Sequence, residues 1–192
     1  RRIFPALFLL LIACYGFGWF AMYASEYKRL GEHIAAGAGF IQNLVLIQEI
    51  GYFEKSIDTK PLIHLWSLAI EEQFYLFWPL VIWTLYKKNN LIIGVIIFLG
   101  SSFLLNIFTI TSNPIMAFYS PLSRVWELIV GSLWACILLY KPEFIKRFHF
   151  NTLNFLSVIG LLLIVLATIF LDNKSKFPGW YALLPTVGAL FL

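Results

Sequence analysis

Six polar side chains, His64, Ser67, Glu71, Glu72, Gln73 and Tyr75, stand at the head of a run that is otherwise apolar as far as Tyr86. Charged groups at bilayer depth cost roughly 2.5–3.5 kcal/mol each even on the lenient insertion scale, so such groups mark a site by default. At 100° per residue, His64, Glu71 and Tyr75 share about 40° of one helix face, with Ser67 flanking it and Glu72 about 80° round from His64. One carboxylate can therefore face a polar cavity while the other pairs with a neighbouring helix. A carboxylate in a partly dry site can act as acid or base, or hold a histidine in orientation. The plainer alternative is that Glu71, Glu72 and Gln73 knit helices together through hydrogen bonds. A hydrolytic triad of Ser67, His64 and Glu71 is disfavoured. One regular helix rarely aims three such groups at a common atom, and no G-x-S-x-G elbow is present.

Two further sets carry charge. Arg124 and Glu127 stand at i and i+3, close enough to pair. They form either an intrahelical pair that eases insertion, or a site in which Arg124 reaches a polar substrate group or a carboxylate of the first set. Arg1 and Arg2 read either as a topology anchor or as two cations for the phosphates of a cytosolic donor, since guanidinium forks match phosphate oxygens. Metal binding is not expected. His33, His64 and His149 are far apart in sequence, and no H-E-x-x-H or cysteine cluster occurs.

The elements that must position these groups are membrane helices. A mean hydropathy of +0.82, with 60% hydrophobic and 12% charged residues, lies outside the range of soluble chains, where about 25% charged is usual. The seven Trp in an 18% aromatic content suit aromatic belts at the two interfaces. The net charge of +4 falls mostly in short loops and does not argue for nucleic acid. Cys14 and Cys136 sit inside apolar runs as ordinary core thiols. Six long apolar segments stand out: Ile3–Tyr23, Leu65–Tyr86, Leu91–Ile110, Ala117–Tyr140, Leu153–Leu171 and Tyr181–Leu192. Their length, and the lack of period-two alternation, predicts helices rather than barrel strands. The expected fold is an all-α polytopic transmembrane helix bundle of about six spans plus one re-entrant or interfacial segment, Ile34–Ile50. The chain starts on Arg1-Arg2 and stops within an apolar run, and it reads as an internal stretch, residues 1–192, of a larger domain.

Loop charge orients the spans. With Arg1-Arg2, Lys87-Lys88 and Lys141–Arg147 all cytoplasmic, Ile3–Tyr23 runs outward, Leu65–Tyr86 returns, and Ile34–Ile50 does not cross. His64 then begins a helix entering from the outer face, with Glu71 and Glu72 roughly 10–12 Å further in. Arg124 and Glu127 come to a similar depth, and Phe177-Pro178-Gly179-Trp180 caps a third helix on the same side.

Read as text, His64-Leu-Trp-Ser-Leu-Ala-Ile-Glu-Glu-Gln-Phe-Tyr-Leu-Phe-Trp-Pro79 closely resembles the signature of the membrane acyltransferase 3 family, the O-acyltransferases that decorate bacterial surface glycans. Three more blocks match in order: Arg1-Arg2-Ile-Phe-Pro5-Ala, Phe118-Tyr-Ser-Pro-Leu-Ser-Arg-Val-Trp-Glu-Leu-Ile-Val-Gly131 and Phe177-Pro-Gly-Trp-Tyr-Ala-Leu-Leu-Pro185. The phrase from Gly51 to Leu62 is similar to members that carry a fused SGNH-type domain. The resemblance implies a multi-pass protein of the bacterial inner membrane. It would move an acyl group, commonly acetyl, from cytosolic acyl-CoA, a co-substrate rather than a bound cofactor, to a hydroxyl of a surface glycan such as lipopolysaccharide O-antigen. It implies donor-side roles for Arg1 and Arg2, and supporting catalytic roles for His64, Glu71 and Glu72. Ser67, Tyr75, Arg124 and Glu127 would lie on the acceptor side. The family's catalytic histidine would lie upstream of residue 1, which would leave the stretch inactive alone. From another class, a proton-coupled transporter or flippase of a polar solute remains the alternative.

The topology makes a direct prediction. In an otherwise cysteine-free full-length protein, Lys88→Cys should react with a membrane-impermeant thiol reagent only after the cytoplasmic face is opened. Labelling from outside intact cells would mean that Ile34–Ile50 crosses.

Overall fold

The computed structural model describes residues 3–50, 62–88, 90–140, 143, 150–171 and 177–192. Arg1, Arg2, the phrase from Gly51 to Pro61, His149 and nearly all of the basic loop Lys141–Arg147 lie outside the described residues. The described chain is all-α, as expected, and divides into two compact units, Arg1–Leu76 and Phe77–Leu192. The helices are α1 (Phe4–Ala21), α2 (Ala24–Ala38), α3 (Gln42–Ile50), α4 (Leu65–Lys87), α5 (Leu91–Ser112), α6 (Pro114–Tyr119), α7 (Pro121–Tyr140), α8 (Phe150–Phe170) and α9 (Leu183–Phe191).

In the first unit, Pro5 begins α1, where its missing N–H costs nothing. The chain turns back at Met22-Tyr23, where Glu26 accepts from the Tyr23 N–H at 3.3 Å. Contacts of Tyr15 and Trp19 with Tyr27 make α1 and α2 antiparallel neighbours. Gly18 lets Leu30 sit directly on the α1 backbone, where any Cβ would strike it. The segment Ile34–Ile50 is not one helix. Helix α2 ends at Gly39 and α3 begins at Gln42, with Phe40 between them in the left-handed region at φ 54°. The Ile41 N–H donates to Ala36 O at 2.9 Å and the Phe40 N–H to Gly37 O at 3.2 Å. This paired pattern is a Schellman cap, with a phenylalanine where glycine is usual. The Phe40 ring packs edge-on against Phe4 at 5.9 Å. Helices of 15 and 9 residues rise only about 22 and 13 Å, short of the roughly 30 Å hydrocarbon core.

In the second unit, α5 lies along α7, and α8 along α9. The expected Ala117–Tyr140 segment is also broken, at Ser120, into α6 and α7. Asn113 caps α6 by accepting from the Met116 N–H at 3.1 Å, and Pro114 and Pro121 supply first-turn prolines. Four stretches are long and apolar enough to cross a membrane: Phe4–Ala21, Leu91–Ser112, Pro114–Tyr140 and Thr152–Phe170. Helix α4, at 23 residues, has the length, but Glu71, Glu72 and Gln73 dilute its apolar character and it is not among the four. The expected Tyr181–Leu192 span is a short 3-10 turn, Gly179–Ala182, followed by α9.

Helices α8 and α9 meet backbone to backbone. A Cβ on Gly188 would stand 2.8 Å from Gly160 O, and one on Gly160 would stand 2.6 Å from Gly188 O. Small residues allow this close approach where no hydrophobic effect drives helices together. Gly188→Ala should therefore cost about 1–3 kcal/mol by overpacking, read as a lower melting temperature in detergent. Gly131→Ala, where nothing lies within 4 Å, should leave the melting temperature unchanged. Equal effects of the two would contradict the close approach.

Candidate functional site

The first unit carries the His64–Tyr75 signature on the N-terminal half of α4. Ala69, Ile70 and Phe74 form the buried side of this half. At 100° per residue their mean direction is about 110–150° from those of His64, Glu71 and Tyr75. The polar face read from the sequence is therefore real, and it points away from the side that α4 buries in this unit. His64, Ser67 and Tyr75 are exposed, and Glu71 and Glu72 are half-buried. The Ser67 hydroxyl donates to the His64 backbone carbonyl at 3.3 Å, and no Ser–His side-chain couple is formed.

Gln73 has a different role from its neighbours. Its amide nitrogen donates to Phe40 O at 2.7 Å and to Asn43 Oδ1 at 3.0 Å. It thereby ties α4 to the turn between α2 and α3, where Gln42 and Asn43 are fully buried. Beside them, buried His33 completes a polar cluster that sequence reasoning missed. His33 Nδ1 lies 2.7 Å from Gln42 Nε2, and Nε2 lies 3.4 Å from Glu49 Oε2. In the sequence His33 reads only as one of three dispersed histidines that do not form a metal site. The available signal was its place on α2, followed by Gln42, Asn43 and Glu49 in an otherwise apolar stretch.

The second unit places Arg124 and Glu127 on the first turns of α7. Arg124 Nη1 is 3.0 Å from Glu127 Oε1, with side chains 12% and 26% exposed. The pair meets as charges rather than as an aligned hydrogen bond. Two rings flank the guanidinium, Phe118 at 5.5 Å and Phe177 at 5.3 Å, both within cation–π range. Trp180 packs edge-on against Phe103 at 5.2 Å, and Phe103 against Trp126 at 4.9 Å. The third and fourth sequence blocks therefore meet around Arg124.

The start of α7 is held in place by polar bonds to its neighbours. Ser102 donates to Leu122 O at 2.6 Å and accepts from the Trp126 N–H at 3.2 Å. Asn106 donates to Ser123 O at 2.9 Å, and the Ser123 hydroxyl lies within reach of Met116, Ala117 and Ser120 carbonyls. Beyond Glu127, a groove of about 500 Å³ runs between α7 and α9, lined by Gly131, Trp134, Pro185, Thr186 and Ala189 among others. Arg1 and Arg2, the expected donor-side cations, lie outside the described residues.

Apolar helices of spanning length with buried charge between them define a multi-pass membrane protein. The chain is 31% identical over 200 residues to an uncharacterised protein of Haemophilus influenzae, covering 97% of this chain and 80% of that one. It is 27% identical to the peptidoglycan O-acetyltransferase OatA of Listeria monocytogenes, over 92% of this chain. It is 30% identical to a Staphylococcus aureus protein assigned as an O-acetyltransferase, over 85% of this chain. The chain spans only 30% and 29% of those two longer proteins. No family model and no solved structure matches it. On these relatives the chain belongs to the membrane O-acyltransferase family that its signature resembles.

Truncating one partner of a buried ion pair costs about 3–5 kcal/mol, whereas replacing both with apolar groups of similar volume can be neutral. Arg124→Met and Glu127→Met should each lower the melting temperature in detergent, and the double variant should recover most of the loss. Additive losses would show that the two charges are not coupled.

Proposed function

We propose that this chain is the membrane-embedded part of an O-acyltransferase that esterifies a hydroxyl of a cell-envelope glycan, most simply with acetyl from acetyl-CoA. The observation that carries this reading is the similarity to O-acetyltransferases over 85–92% of the chain. In the reaction, the sugar hydroxyl oxygen attacks the thioester carbonyl, the C–S bond breaks, and the hydroxyl proton ends on the departing CoA thiol. Glu71 and Glu72 accept hydrogen bonds from acceptor hydroxyls on the open face of α4, with His64, Ser67 and Tyr75 beside them. The guanidinium of Arg124, steadied by Phe118, Phe177 and Glu127, presents a fixed positive charge to an oxygen of the substrate. Arg1 and Arg2 take the phosphates of the donor. The base that first receives the proton is assigned to a histidine outside this stretch of sequence.

The acceptor class follows from two sources that point to different polymers. OatA is named for peptidoglycan, while the resemblance of the signature also extends to enzymes of lipopolysaccharide O-antigen. Both present ring hydroxyls outside the cytoplasmic membrane, which is where the protein is placed by this reading. The breaks at Phe40 and Ser120 also suit a transporter of a polar solute, since those folds line their sites with broken helices.

Full-length protein carrying Glu72→Gln should insert normally but lose at least about 100-fold in ester formation, within the range for a positioned acid–base group. Ester-linked acetyl is measured on purified peptidoglycan and on O-antigen separately, and the polymer that loses it is the acceptor. Unchanged acetyl on both would reduce the carboxylate to a packing role. Solute movement without any acylation by the wild type would favour the transporter.

A further inference from the structure

The break between α2 and α3 is gripped from two sides. From α4, the Gln73 amide holds Phe40 O and Asn43 Oδ1 with its two N–H groups. From α2, the His33 imidazole meets Gln42 Nε2 at 2.7 Å. Residues 40–43 therefore stand between a histidine and the glutamine that directly follows Glu71 and Glu72. All three inner members are sealed, with His33 2% and Gln42 and Asn43 0% exposed.

The two ring nitrogens of His33 face different partners. Nδ1 meets Gln42 Nε2, an amide nitrogen that can only donate, and Nε2 faces Glu49 Oε2 at 3.4 Å. The Gln42 Oε1 atom is then left without a hydrogen-bond partner. The imidazole contact is therefore the hydrogen bond that holds the Gln42 amide. An unanswered donor or acceptor in such a place costs about 1–3 kcal/mol. Both ring nitrogens are occupied and the ring is closed off, so His33 cannot reach a reacting atom.

We propose that His33 is a positioning residue for acyl transfer: through Gln42 it fixes the Phe40–Asn43 turn, and the turn, through Gln73, sets the carboxylate-bearing turn of α4. This rests on the O-acyltransferase reading above. The link that matters is the one from Nδ1 to Gln42. The contact with Glu49 orients the ring.

Two isosteric replacements separate the two links. In His33→Asn the amide oxygen stands where Nδ1 was and keeps the bond from Gln42, while the reach to Glu49 is lost. In His33→Gln the terminal amide reaches the Nε2 position and keeps the bond to Glu49, while Gln42 loses its acceptor. In the full-length membrane protein, kcat for glycan acetylation should fall by about tenfold or more in His33→Gln and His33→Ala, the rate equivalent of one hydrogen bond. His33→Asn should stay within about threefold of wild type on the same scale. KM for acetyl-CoA should not change in any of them. Gln42→Met, which removes the same link from the other side, should reproduce the loss and decides the matter if His33→Asn fails to insert.

An active His33→Gln with an inactive His33→Asn would shift the role to Glu49 and overturn the proposal. Loss in both amide variants would mean that the imidazole's proton chemistry is needed, and full activity in both would mean that neither link matters; each overturns it. A kcat that merely tracks the melting temperature across the set would also overturn it, because it would reduce His33 to a folding staple. No acetylation by the wild type would instead remove the O-acyltransferase reading itself.

Discussion

Each place where a helix breaks among apolar surroundings bares backbone groups that neither water nor lipid can satisfy. In hydrocarbon each such group costs several kcal/mol, so irregular backbone survives only where protein supplies the partners. Two breaks among the described residues meet this requirement. At residues 39–43 the cap's own N–H groups close on Ala36 and Gly37, and Gln73 arrives from α4 to cover Phe40 O. At residues 116–126 the partners are Ser102 and Asn106 from α5 together with Ser123 itself. The polar residues of the helix interiors are thus largely the complement of these two breaks.

That complement also accounts for where the reactive groups stand. Gln73 is bound to the first break, so Glu71 and Glu72, two residues and one residue earlier, are indexed to it. Arg124 lies one residue after Ser123, whose hydroxyl and carbonyl are both engaged at the second break. The groups on offer to a substrate are carried next to the groups committed to structure. Within each unit, the half-buried or flanked charges stand next to a residue that is hydrogen-bonded to the break. The cation at Arg124 gains further from Phe118 and Phe177, whose faces favour a weakly hydrated guanidinium over water.

Much of this was legible before any fold was known. Hydropathy and length predict the apolar helices, and α1, α5 and α8 fall within a few residues of the expected segments. The i, i+3 spacing predicts the Arg124–Glu127 pair, which forms. The two breaks were less visible. Ile34–Ile50 stood out through its glycines and amides, but the left-handed residue is Phe40 rather than the adjacent Gly39. The ring of Phe40 packs on Phe4, a contact outside any local propensity. Ser120-Pro121 lies inside a run whose hydropathy reads as continuous, because proline in a first turn leaves that signal intact. His33 was missed because its partners, Gln42 and Glu49, lie on another helix, and spacing along the chain does not reveal what a turn folds together.

The sequence by itself determines the solvent and the inventory. Its composition demands a membrane, the length of its apolar runs demands helices, and its few charges must serve a purpose because burying them is costly. Which polar groups become structure and which remain for chemistry is decided only in three dimensions. Gln73 and Glu71 are two residues apart and look alike in the text, but on a helix they point about 160° apart. Gln73 turns to the α2–α3 break and is consumed by two hydrogen bonds, while Glu71 turns to the open face. Phe177 becomes a partner of Arg124 for the same reason: separations along the chain close only when helices pack.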